Sequence, residues 1–180
     1  MTNEVIEVQG PVSRPDSVRH RLADAAWLSG ASAFVANGVP FSFTTGPVLA
    51  GGVCELVAFL AEETLAQSIT LHDAGAGTGY LTRHVIEALE RRDPDLARAC
   101  RYVASDSSAE AVAEMAGVFA DLPGDLKERV TARTGNALSS DDILDGGPSV
   151  VLMSYLMDAV HPCTWPGLAM KFTKCWCRRG

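Results

Sequence analysis

The segment LHDAGAGTGYLTRHVIEAL, which begins at Leu71, places three glycines at alternate positions between two apolar patterns. Before the glycines, SITLHD alternates apolar and polar residues, which predicts a strand. After them, apolar residues from Leu81 to Leu89 recur at helical spacing and predict a helix that stops before Pro94. The sequence therefore predicts a tight turn at the carboxyl end of a strand, where open α/β sheets bind ligands.

The same alternation of strand and helix continues along the chain. RYVAS predicts a second strand, and SSAEAVAEMAGVF predicts a helix in which Ser107 and Glu110 fit a capping box. RVTART predicts a third strand and SVVLM, from Ser149, a fourth that is apolar enough to be buried on both faces. An earlier helix is predicted from Pro47. We expect an α/β, Rossmann-like fold: a mostly parallel sheet with helices on both faces.

The chain has 180 residues, enough for one domain with a sizeable core. We assign that domain to residues 46–162. Residues 1–45 are expected to form an N-terminal helix and loop. Residues 163–180 show neither strand alternation nor a helical stripe and are predicted to be an irregular tail.

Charge and composition limit the classes of binding partner and the cellular locations that the sequence predicts. The formal net charge of -7 disfavours nucleic acid as a main partner. No apolar run is long enough to span a membrane, and the acidic segment MTNEVIEVQG resembles neither a secretory signal nor a transit peptide. A cytoplasmic location is the default expectation, and a mitochondrial one stays open. Five scattered cysteines predict free thiols, with no disulfide framework and no metal site.

Three ligand classes compete for the glycine turn. A phosphate-binding P-loop requires a lysine after the glycines, and none follows. In a dinucleotide fingerprint, G-x-G-x-x-G counted from Gly75, the third glycine would fall at Tyr80. The third ligand is S-adenosylmethionine (SAM), which carries an ammonium and a sulfonium but no phosphate. Asp73 beside the turn would repel a pyrophosphate and suits the cationic SAM better.

A second acid lies at the end of the second strand. Asp106, in YVASDSSAE, is placed to accept hydrogen bonds from two adjacent ribose hydroxyls. SAM and NAD both carry such a ribose, so Asp106 predicts a nucleoside ligand without choosing between them. The glycine spacing and Asp73 favour SAM, and an NAD-linked oxidoreductase remains the more distant alternative.

With these features the chain resembles the class I SAM-dependent methyltransferases. HDAGAGTGY resembles motif I of that superfamily, YVASDSS its acidic second motif, and RTGNAL the loop after the third strand. The resemblance implies that Asn136 contacts the adenine amino group through its side-chain oxygen. The cofactor-binding residues it predicts are Asp73, Gly75, Ala76, Gly77, Gly79, Asp106, Ser107, Asn136 and Ala137.

A closer resemblance is to the MidA-like arginine methyltransferases that act in assembly of respiratory complex I. FTTGPVLAGGVCELVAFL is similar to the family's segment before motif I, and SYLMDAVHP to its Asn-Glu-Leu-Leu-Asp-Ala-Leu-Pro after the fourth strand. Ser154 and Tyr155 stand where that family has Asn-Glu, which removes a carboxylate from the substrate side. Asp158 is the predicted catalytic residue, as a carboxylate that holds a cationic acceptor or takes a proton.

A complete methyltransferase of this class has further strands that cover the acceptor site, so we expect a truncated chain with an incomplete sheet. Its fourth strand would be an exposed edge, open to self-association. Two functions follow. The first is a SAM-dependent methyltransferase acting on a protein or small-molecule acceptor. The second is a non-catalytic SAM-binding remnant or interaction module of methyltransferase ancestry.

Overall fold

The fold is known from a computed structural model, which describes residues 45–65, 68–137, 139 and 149–154, together with Val18, Arg21, Leu22 and Ala25, four residues in helical conformation. The helices are α1 (Pro47–Thr64), α2 (Tyr80–Arg92), α3 (Pro94–Ala99), α4 (Ala109–Val118) and α5 (Gly124–Lys127), and the strands are β1 (Thr70–Ala74), β2 (Arg101–Asp106), β3 (Val130–Thr134) and β4 (Ser149–Leu152).

The four strands form a parallel sheet in the order β3-β2-β1-β4. This order results when the chain moves outward from β1 in one direction and then crosses to its other side. The α/β, Rossmann-like class expected from the sequence is confirmed. Most of the predicted N-terminal segment, 1–45, and the whole of the predicted tail, 163–180, lie outside the described residues.

Local sequence explains where the helices begin and end. Pro47 occupies the first turn of α1, where its missing N–H costs nothing. α2 ends at Arg92, before Pro94, as the sequence predicts. Pro94 instead begins α3, whose first turn is capped by the Asp93 side chain, which accepts the N–H of Leu96 at 2.9 Å. Neither α3 nor the single-turn helix α5 is predicted from the sequence.

The predicted capping box of α4 is wrong by one residue. Ser108, not Ser107, is the N-cap, and its hydroxyl oxygen accepts the N–H of Ala111 at 3.3 Å. The cause is Asp106, whose Oδ1 accepts the N–H of Ser108 at 2.9 Å and so holds the chain extended for one more residue. Ser107 is left exposed beside the carboxyl end of β2.

All five described helices contribute to one apolar core with a single face of the sheet. Leu71, Tyr102, Ala104 and Val150 belong to that face. His72, the neighbour of Leu71, points to the opposite face because side chains alternate along a strand. The prediction of helices on that second face concerns residues outside the described ranges.

β4 lies at the edge of the described sheet, paired with β1 from Thr70↔Ser149 to Asp73↔Leu152. Self-association through this edge stays a prediction. Within the described ranges, none of the helices combines the length and the apolar character needed to cross a membrane.

Candidate cofactor-binding site

The glycine turn joins β1 to α2 through three residues in the left-handed region. Gly75, Gly77 and Gly79 have φ angles of 74°, 55° and 79°, which residues with a Cβ adopt only with strain. The N–H groups of Gly75 and Ala76 both donate to the carbonyl oxygen of Ser105, at 2.8 and 3.0 Å. Glycine is therefore required by the backbone here, and β2 fixes the shape of the turn.

The second and third glycines have different surroundings. A Cβ on Gly79 would lie 2.9 Å from Cζ of Phe119 and 3.1 Å from Cγ of Met115, so this glycine allows α4 to pack against the turn. A Cβ on Gly77 would meet nothing within 4 Å. The backbone at Gly77 thus faces open space, and a ligand can approach it closely.

Asp106 lies next to this open backbone. Its Oδ2 accepts the N–H of Gly77 at 3.1 Å, and its Oδ1 accepts the N–H of Ser108 at 2.9 Å. Each carboxylate oxygen has two lone pairs, so both oxygens retain the capacity to accept a further hydrogen bond. The side chain is half-buried, which leaves it accessible to the hydroxyls of a ligand.

Asp73 is the fourth of the five residues of β1, all of which are buried, and it is only 2% exposed. The hydroxyl of Thr82 donates to its Oδ2 at 2.9 Å. Burial raises the pKa of Asp73, the Thr82 hydrogen bond lowers it, and the nearby negative charge of Asp106 raises it, with a net pKa of about 6. Because the carboxylate is buried, it has no open contact surface, and its influence at the turn is limited to its charge or to a bridging water.

The remaining predicted residues lie along the same edge of the sheet. Gly135, just after β3, donates its N–H to the carbonyl oxygen of Asp106 at 3.0 Å, which ties the loop after β3 to the end of β2. Asn136 is exposed and Ala137 is half-buried in that loop. The nine predicted cofactor-binding residues thus all lie at or just after the carboxyl ends of three adjacent parallel strands, β1, β2 and β3. Asp158, the predicted catalytic residue, lies outside the described residues and stays a prediction.

Three buried polar residues at the site were not singled out as functional from the sequence. Thr82 bonds Asp73, and His72 lies with its Nε2 2.8 Å from Oγ of Ser105. The sequence signal for Thr82 was its position as a polar residue on the apolar stripe of α2. Within the described ranges, no three His, Cys, Asp or Glu side chains gather into a group that could hold a metal ion.

Comparison with known proteins adds one distant likeness. No protein-family model matches the chain, and no curated protein matches it. Among solved structures, the crystal structure of the glycopeptide N-methyltransferase MtfA complexed with sinefungin is similar at 21% identity and a TM-score of 0.37. The match covers 54% of this chain and 35% of that one, so the chain spans about a third of its length. The fold and the turn by themselves define a Rossmann-like α/β protein with a glycine turn at the edge where such sheets bind ligands.

Proposed function

We propose that the chain binds S-adenosylmethionine at the glycine turn and acts as a SAM-dependent methyltransferase. The observation that carries the proposal is the pairing of two carboxylates with an open glycine backbone: Asp106 contacts Gly77, and Asp73 is buried beneath the same turn. A pyrophosphate here would lie against two acids. A ligand with an ammonium, a sulfonium and a free ribose, such as SAM, is net cationic in spite of its own carboxylate and matches them in both charge and hydrogen bonding.

Each part of SAM has a candidate partner in the described residues. The ribose hydroxyls would donate to Asp106, whose oxygens retain lone pairs. The positively charged methionine end would lie at the turn above Asp73. Asn136, exposed after β3, would accept a hydrogen bond from the adenine amino group. Gly77 leaves room for the ligand against the backbone.

When bound, SAM would supply an activated methyl group, which an acceptor nucleophile would take from the sulfonium by in-line displacement. The contribution of the chain is to bind the donor, to align the acceptor and to hold a proton-accepting group near it. We propose Asp158 for that last role, on the resemblance of SYLMDAVHP to the MidA-like motif. The same resemblance supports a protein acceptor.

A non-catalytic SAM-binding module is the second candidate. Ser154, two residues beyond β4, and Tyr155 stand where the resembled family has Asn-Glu, so a carboxylate is missing on the acceptor side. Binding of SAM is common to both candidates. Transfer of the methyl group separates them.

Isothermal titration calorimetry of the full chain with SAM and with NAD tests the proposal. We expect SAM to bind and NAD not to bind, with affinity for SAM lost in Asp106→Asn and kept in Asp121→Asn, an exposed acid that is not among the predicted cofactor-binding residues. Incubation with methyl-labelled SAM and candidate acceptors then follows transfer. Binding without transfer selects the module, and binding of NAD without SAM would overturn the cofactor assignment.

A further inference from the structure

Thr82 places a hydroxyl group on the otherwise apolar buried side of α2. It lies in the first turn of that helix, among buried neighbours such as Leu81 and Val85, and its side chain is fully buried. Valine has the same shape and would suit an apolar core. The hydroxyl has a specific partner, Oδ2 of Asp73, at 2.9 Å. A buried hydroxyl that donates to a buried carboxylate favours the ionised form of that carboxylate.

Apart from Thr82, the surroundings of Asp73 disfavour its ionised form. Burial is the main cause that raises the pKa of Asp73, and the negative charge of Asp106, at the end of β2, raises it further. Its register partners on β2 and β4, Ala104 and Leu152, carry no charge. Among these groups Thr82, from α2, is the one that counteracts protonation of Asp73.

We propose that Thr82 is a positioning residue for the cofactor site: its hydroxyl fixes the orientation of the Asp73 carboxylate and keeps it in the charged form that a cationic methyl donor requires. This inference rests on the proposed function. It implies that SAM binding is linked to proton release from Asp73. Affinity for SAM should then rise as the pH increases through about 6, the pKa of Asp73.

The matched variants are Thr82→Val, which keeps the shape and removes the hydroxyl, and Thr82→Ser, which keeps the hydroxyl. Calorimetry with SAM between about pH 5 and pH 7.5 gives the midpoint of the affinity profile for each. Loss of a hydrogen bond to a charged group raises that midpoint by about one pH unit in Thr82→Val, which weakens affinity about fivefold at pH 6. Thr82→Ser should keep the wild-type midpoint. A purely structural role would lower affinity equally at every pH.

A second readout needs no ligand. A titration of the Asp73 carboxyl carbon by NMR should give a higher pKa in Thr82→Val than in the wild type or in Thr82→Ser, and Thr82→Ala repeats the comparison if Thr82→Val does not fold. An unchanged Asp73 pKa in a folded hydroxyl-free variant would overturn the role of Thr82 and leave the proposed function standing. Failure of the wild-type chain to bind SAM at any pH would overturn the proposed function and the inference with it.

Discussion

His72 and Ser105 join β1 to β2 on the sheet face opposite the apolar core. Nε2 of His72 lies 2.8 Å from Oγ of Ser105, and both side chains are buried. The carbonyl oxygen of the same serine accepts the N–H groups of Gly75 and Ala76. Ser105 thus connects the centre of the sheet to the glycine turn through both its side chain and its backbone.

Replacing Ser105 by alanine should destabilise the protein, because His72 loses a buried hydrogen-bond partner. We expect the free energy of unfolding to fall by about 1–3 kcal/mol, measured by urea denaturation. Ser107→Ala is the control: this serine is exposed, and its removal should change the free energy of unfolding by less than about 0.5 kcal/mol. Equal effects of the two substitutions would refute a structural role for the His72–Ser105 contact.

Gly79, which is packed against α4, and Gly77, which faces open space, should respond differently to alanine. Gly79→Ala adds a Cβ at positive φ that also lies against Phe119 and Met115, and should lower the free energy of unfolding by about 2–4 kcal/mol. Gly77→Ala adds only the backbone strain, about 1–2 kcal/mol, since no atom lies within 4 Å of the new Cβ.

Calorimetry with SAM completes that comparison. Gly77→Ala, although the more stable variant, should lose affinity because its methyl group occupies the space that the ligand needs. A Gly77→Ala protein that binds SAM as the wild type does would place the ligand elsewhere.

Asp73→Asn should stabilise the chain at alkaline pH while abolishing SAM binding. The pKa of Asp73 is raised from 3.8 to about 6, so the folded state favours the protonated acid. The stability this acid contributes is full below about pH 4 and is lost as the pH rises through about 6. Asparagine stays neutral, so the variant's advantage over the wild type should grow by up to about 3 kcal/mol between pH 4 and pH 8.

Urea denaturation at the two pH values measures that change. Asp121→Asn, in an exposed position, serves as the control, with a difference from the wild type that stays within about 0.5 kcal/mol at both. An Asp73→Asn advantage that does not depend on pH would show that the wild-type carboxyl does not change its ionisation in this range.

Cys100 should resist alkylation in the folded protein. Burial raises the pKa of its thiol to about 11, so at pH 8 the reactive thiolate is about a hundredfold rarer than for an ordinary cysteine. Mass spectrometry of the Cys100 peptide after treatment with iodoacetamide should show slow labelling in buffer and rapid labelling in urea. Comparable rates in both would mean that the segment between α3 and β2 opens freely.

The sequence was sufficient to predict the fold class and the position of the turn. The periodicity of β1 and α2 is strong, and Pro94 marks the end of the helix, so these bounds are close to those observed. The three glycines also predicted a turn with positive φ angles, because few other residues tolerate such angles.

Contacts between distant residues were not predictable in the same way. The roles of Gly77 and Gly79 differ because α4 packs on one and not on the other, which no local pattern encodes. The N-cap of α4 is Ser108 and not the predicted Ser107, because the N–H of Ser108 donates a hydrogen bond to the Asp106 side chain. Tertiary contacts of this kind override local propensity.

The turn that holds the proposed ligand is shaped from outside its own segment. Its first two N–H groups bond to a carbonyl about thirty residues further along the chain, in the neighbouring strand. An excised peptide of β1, the turn and α2 would therefore keep the glycines and lose their geometry. The smallest fragment able to recognise the donor must extend through β2, and recognition can arise during folding only after those two strands have met.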